Sequence, residues 1–206
     1  MTAILFHVTI PPMNKTTVGI AVVLLLIIAG ALGLGAFKFK VAVNNTPIVN
    51  IVATSPKDAT YIIDGKPVTI KNGIFEIEAA PGSVSKIITR YFGNEVRRDF
   101  DGDGREDIAF ILTQEMGGSG TFYYVVAALN TKDGYVGSHG LLLGDRIAPQ
   151  TTEMGKGDTM IVVNYADRNP GESFAVPPSM GKSLWLLLDP KTMQFNKIDQ
   201  GMQPPL

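Results

Sequence analysis

The chain contains no cysteine. That absence removes disulfides, thiolate metal sites, cysteine nucleophiles and a lipid-modified cysteine anchor together, although it does not fix a compartment. Charge is also scarce. Lys, Arg, Asp and Glu make up 18% of the 206 residues and nearly cancel, to −1. No basic tail or stripe is present, which argues against nucleic acid as a partner. From residue 60 to 198 no segment carries a long apolar stripe at helical spacing, so long helices are not expected there. Gly (22) and Pro (13) are plentiful instead. A chain of this length and turn content suits one sizeable β domain with extras.

The one long uncharged run is TVGIAVVLLLIIAGALGLGAF, residues 17–37. Twenty helical residues at about 1.5 Å each cross about 30 Å, the hydrocarbon thickness of a bilayer. The run is longer than the apolar core of a cleavable signal peptide, so it is expected to span the lipid bilayer as a transmembrane helix or signal anchor. No glutamate enters it near its start, as a type IV pilin-like segment would require. Met13 followed by Asn14 and Lys15 has the form of a natural start, with residues 1–12 as an upstream extension of a short N-terminal segment, 1–16. Lys15 precedes the run while Lys38 and Lys40 follow it, so flanking charge does not choose the orientation.

Residues 38–58 read as an extended linker, with Pro47 and Pro56 opposing helix. Residues 59–198 read as the main domain and 199–206 as a loose tail. Within the domain, TYIIDGKPVTIKNGIFEIEA predicts a three-stranded meander turning at Asp64-Gly65 and Asn72-Gly73. DIAFILT, TFYYVVAAL, TMIVVNYA, KSLWLLL and MQFNKI predict further strands, and VSKIITRYF, rich in β-branched residues, reads as a strand first and a helix second. DIAFILT is apolar on both faces and is expected to be an inner strand. Close neighbours joined by short turns predict antiparallel pairing. The expected fold is therefore mainly β: an antiparallel sandwich, curled sheet or small barrel behind one N-terminal transmembrane helix.

The densest chemistry lies in RRDFDGDGREDIAFIL, residues 97–112. Numbered from Asp99, carboxylates fall at positions 1 (Asp99), 3 (Asp101), 5 (Asp103) and 9 (Asp107), with Gly104 at position 6. Calcium takes six to eight oxygens, and a loop delivers them by turning alternate residues toward one centre, with glycine at the sharp bend. Arg105, at position 7, would contribute its backbone carbonyl and point its charge outward, with Glu106 beside it facing solvent. Position 12, where an EF-hand carries a bidentate glutamate, is Phe110. Calcium suits such a loop better than magnesium, which demands tighter octahedral geometry.

The pattern D-x-D-x-D-G-x-x-D followed by an apolar strand resembles the calcium loops of FG-GAP (integrin-propeller-like) repeats and the first nine positions of dockerin-type loops. The resemblance covers residues 99–112 and implies a metal site, not a propeller, since one copy cannot make blades. A longer stretch, DGDGREDIAFILTQ…GGSGTFYYVVAALN…LLLGDRIA over residues 101–148, resembles a domain of uncharacterised secreted or membrane-anchored bacterial proteins, some of which also carry META-type domains. That resemblance implies location and fold more than activity.

Other motifs carry less. The GKS at residues 181–183 lacks the earlier glycine of a phosphate loop, having Val176 there. His139 stands alone in a glycine-rich turn. Ser119, Ser138 and Ser183 have no histidine and acid at a recognisable spacing. Asp145-Arg146 reads as a structural ion pair. Phe122, Tyr123, Tyr124 and Trp185 read as core or interface aromatics rather than a sugar platform.

These features predict a membrane-anchored, extracytoplasmic calcium-binding domain with a binding role toward an unidentified cell-surface or extracellular ligand, and no catalysis. Loops of this kind bind at about 10⁻⁴–10⁻³ M in extracellular modules, a range met outside cells, and this favours the outward orientation. The rival expectation is a secreted-type hydrolase using the calcium loop or the Pro-rich loop 166–181.

Overall fold

Two-residue turns set the local geometry. Asp64 and Gly65 take φ of 49° and 74°, and Asn72 and Gly73 take 50° and 80°, the left-handed pair that a tight hairpin turn requires. A computed structural model describes residues 52–156 and 159–199 of the chain. All belong to the second of two units, Asn50–Leu206. The expected span at residues 17–37, most of the linker and the tail from residue 200 lie outside the described residues. Among the described residues no helix is long and apolar enough to cross a membrane.

The described chain is mainly β, in antiparallel sheets. After a 3₁₀ turn at Pro56–Asp58 come β1 (Thr60–Ile63), β2 (Lys66–Thr69), β3 (Ile74–Glu78), β4 (Lys86–Arg98), β5 (Asp107–Glu115) and β6 (Thr121–Thr131). They are followed by β7 (Gly134–Gly137), β8 (Leu141–Asp145), β9 (Ala148–Met154), β10 (Met160–Asp167), β11 (Met180–Asp189) and β12 (Gln194–Ile198). β1 and β2 form a hairpin by themselves; β3-β4-β5-β6-β7, with β8 also on β6, form a six-stranded sheet; and β12-β11-β10-β9 form a four-stranded one.

The expected meander is therefore broken. Both turns form, but β3 pairs with β4 and meets the preceding segment only at the bridge Lys71↔Ile74. The reason is burial on two layers: Tyr61, Ile63, Val68 and Ile70 of the hairpin segment pack on one face of the large sheet, while β3 joins that sheet's edge. The Asn72-Gly73 turn carries the chain between layers. β9, whose APQTTEM sequence lacks an apolar signature, was not expected.

β5 is the inner strand its composition predicts, buried from Asp107 to Gln114. Ile108, Phe110 and Leu112 alternate with Ala109 and Ile111 to serve two cores. One core joins Phe110, Tyr124 and Val126 to the hairpin, with the Tyr61 and Phe110 rings edge-to-face at 5.6 Å. The other joins Ile111, Val125 and Ala127 to Ile161, Val163 and Leu186 of the four-stranded sheet. β1 also lies parallel to the segment after β7, with Ile62 N donating to Ser138 O at 3.1 Å and Gly140 N donating to Ile62 O at 2.8 Å. Sheets stacked over shared apolar cores make this a sandwich.

Candidate metal centre

The acidic loop is the eight-residue connection between β4 and β5, held at both ends by paired strands. Its turns need glycine for backbone conformation rather than for space. Gly102 and Gly104 take φ of 80° and 83°, and nothing lies within 4 Å of a Cβ built on either. The backbone N–H groups so turned converge on Asp99. Its Oδ1 accepts from Gly102 N (2.7 Å) and Asp103 N (3.2 Å), and its Oδ2 accepts from Gly104 N (2.8 Å). These donors, that of Gly104 foremost, hold the Asp99 carboxyl below the usual carboxylate range.

Asp107 opens β5 and is fully buried. Its Oδ2 accepts from Phe100 N at 2.8 Å and its Oδ1 from Asn130 N, at the end of β6, at 2.7 Å. Burial pushes its pKa up, and the charges of Asp101 and Asp103 add to that, against the opposing pull of the two N–H donors. Asp101 is exposed, and its Oδ1 accepts from Asp103 N at 3.1 Å.

Carboxylate oxygens of Asp99, Asp101 and Asp107 all lie within 4.8 Å of one another. Two oxygens each about 2.4 Å from one calcium ion are at most about 4.8 Å apart, so these three meet the distance condition that a shared coordination sphere requires. Each carboxylate retains lone pairs beyond its backbone hydrogen bonds. The donors are hard oxygens, suited to calcium or magnesium rather than to soft metals.

Asp103 is not among the three converging carboxylates. The Asp103 carboxylate accepts from Arg105 N at 2.8 Å and forms an ion pair with the Arg105 guanidinium. The Arg105 side chain keeps 41% of its surface exposed, so its charge is turned only partly away from solvent. Its Nε reaches back to Asn130 O, 2.6 Å away, and straps the loop to β6. Glu106 faces Arg97, at 3.6 Å. Asp107 and Arg105 thus grip both backbone groups of Asn130, a coupling across 23–25 residues that loop spacing alone does not reveal.

The remaining candidates are structural. Asp145 pairs with Arg146 at 2.8 Å and accepts from Thr121 N. His139 lies on the bridge to Ile62, its N–H donating to Met193 O. In the 166–181 loop, Arg168 and Arg146 both stack on Phe174. Tyr124 is core, as expected. Trp185 is not: Leu184, Leu186 and Leu188 face the inner core, so strand alternation turns Trp185 outward. Beside it lies a polar ladder of Thr151, Glu153, Asn164 and Ser183 that the sequence reading missed. The alternation in SLWLLL was the available signal. Comparison with family models, curated proteins and solved structures found no match in any of the three.

Proposed function

We propose that this protein is a membrane-anchored, extracytoplasmic binding domain whose acidic loop holds one calcium ion. The observation that carries the reading is the convergence of Asp99, Asp101 and Asp107 within 4.8 Å. Asp99 and Asp107 are fixed by backbone donors at either end of the loop, and Asp101 would close the site from the exposed side. Further oxygens would come from loop carbonyls and water, which calcium accepts in flexible geometry. Because the metal would bind only the folded loop, it stabilises the domain by RT ln(1 + [L]/Kd), about 2.7 kcal/mol at a hundredfold excess over Kd. Residues 17–37 would hold the domain at the bilayer, on the side where calcium is abundant.

The test is the melting temperature of the full chain in detergent, in calcium against EDTA, for the native sequence and Asp101→Asn. Calcium should raise Tm by several degrees in the native chain and by clearly less in the variant, whose amide oxygen is an uncharged and weaker ligand. Asp101 is the informative position because its carboxylate receives one exposed backbone hydrogen bond and the amide oxygen can keep it. Equal Tm in calcium and EDTA rejects the site. Orientation is tested separately: with no native cysteine, Lys132→Cys on an exposed turn gives one thiol. An impermeant maleimide should label it on intact cells.

A further inference from the structure

The outer face of the four-stranded sheet carries a second constellation. β9, β10 and β11 lie side by side, and their registers place Glu153, Val162 and Trp185 in one cross-strand row. Thr151, Asn164 and Ser183 form the next row. Three strands about 4.8 Å apart and two rows about 7 Å apart make a patch about 10 Å by 7 Å. Among the described residues Glu153, Val162, Asn164, Ser183 and Trp185, with Lys156 at the rim, line a shallow, open depression of about 510 Å³, and Thr151 stands beside it on the same row as Asn164.

Its polar groups are fixed and their remaining valences can be counted. Asn164 donates both amide hydrogens, to Thr151 Oγ1 at 2.9 Å and Glu153 Oε1 at 2.8 Å, and its Oδ1 accepts from Ser183 Oγ at 2.6 Å. Ser183 has spent its only hydrogen and offers an acceptor. Thr151, already accepting, offers its hydroxyl hydrogen; Glu153 offers its second oxygen; Lys156 offers ammonium hydrogens. Donors and acceptors thus lie in the same and the next cross-strand row as Trp185, whose indole is a flat apolar surface with one polar edge.

We propose that this cleft binds a hexopyranose unit of a glycan, the apolar face of the sugar ring lying on Trp185 and its hydroxyls meeting Thr151, Glu153 and Ser183. A sugar hydroxyl both donates and accepts, so it can satisfy every valence left open. An apolar peptide would strip water from the ladder without replacing its hydrogen bonds. A phosphate would meet the Glu153 carboxylate at close range. The cleft lies on a different sheet from the acidic loop, and the proposal goes beyond the calcium reading without resting on it.

Trp185 is the only tryptophan, so its emission reports on this cleft alone. The full chain, in a detergent without a sugar headgroup, is titrated with chitohexaose, cellohexaose and maltohexaose, in calcium and again in EDTA. At least one oligosaccharide should shift the emission saturably in both media. No shift with any of the three overturns the proposal, whatever the calcium loop does. Calorimetry with the responding sugar should then show affinity falling about tenfold or more in Trp185→Ala and several-fold in Ser183→Ala. Should the tryptophan variant fail to fold, the serine variant, on an exposed position, carries the comparison. Native affinity in the folded variants also overturns it.

Discussion

The carboxylate of Asp107 accepts a hydrogen bond from the backbone N–H of Asn130, 2.7 Å away on the neighbouring strand. Its other oxygen accepts from Phe100 N, at the start of the acidic loop. One buried side chain therefore joins the loop, the first residue of β5 and the last turn-ward residues of β6. It also supplies one of the three carboxylates that converge. Fold and candidate site share this residue, and their contributions separate only by choosing substitutions that touch one and not the other.

Asp107→Ala should destabilise the domain by about 2–4 kcal/mol in EDTA, since it leaves two backbone donors without their acceptor. Asp107→Asn should recover only part of this, because an amide keeps one acceptor oxygen and turns a donor toward a donor. Asp101→Asn should stay within about 0.5 kcal/mol of the native chain under the same conditions. Urea unfolding followed at equilibrium measures all three. Equal stability of the two alanine and asparagine variants at position 107 with the native chain would remove Asp107 from the structural role.

Protons and calcium should compete at the loop. Asp107 has its pKa raised by burial, so in EDTA the proton-linked part of its contribution to stability is present below the ordinary carboxylate pKa and is lost as pH rises through the raised value, apart from what its two backbone hydrogen bonds contribute. Asp99 behaves oppositely: its pKa is lowered, so its contribution is present above the ordinary value and is lost as pH falls through the lowered one. Calcium requires both deprotonated. Its affinity should therefore weaken on acidification first through Asp107, before Asp99 titrates. Carboxyl-carbon NMR should place the Asp107 midpoint above that of Asp99, and calorimetry from about pH 7 to about pH 4 should show affinity falling across it. Affinity independent of pH over that range would contradict this.

The strands were legible in the sequence wherever composition and burial agree. β5 and β6 are buried on both faces and their apolar runs say so. Asp64-Gly65 and Asn72-Gly73 announced their turns because only a few residue types tolerate positive φ. Pairing was less legible. A turn dipeptide fixes a reversal but not which layer the next strand joins, and β3 left the hairpin for the large sheet. β9 carries no apolar alternation because its neighbours bury it only partly. In the loop, spacing gave the four carboxylates equal rank. The structure divides them, since Arg105 turns back to Asn130 and takes Asp103 with it.

Gly137→Ala should cost about 1–3 kcal/mol although its backbone is not left-handed, as expected for overpacking. A Cβ there would lie 2.3 Å from Thr60 O and 2.8 Å from Tyr61 Cδ1, where the hairpin docks. Neither neighbour can yield cheaply: one is backbone, and the other is a fully buried ring packed on Phe110. Gly118→Ala is the control, with nothing within 4 Å. Thermal unfolding should separate the two variants clearly. Matching melting temperatures would show that the hairpin shifts freely on the sheet.

The 168–179 segment should be held by one ring. The Arg146 and Arg168 guanidinium carbons lie 3.8 and 5.3 Å from the centroid of Phe174, whose side chain is otherwise open to solvent. Arg168 also donates to Val176 O at 2.6 Å and Arg146 O at 2.8 Å, so it fastens the segment to the corner after β8. Each exposed cation–π contact contributes about 0.5–1 kcal/mol, small against global stability yet large for a short loop. Phe174→Ala should therefore leave the melting temperature nearly unchanged while accelerating amide exchange within the loop. Val176, whose N–H donates to Ser173 O, is the reporter. Ser179, whose N–H donates to Asp167 O at the strand end, should exchange as before. Unchanged exchange at Val176 would mean that the Arg168 hydrogen bonds hold the loop without the ring.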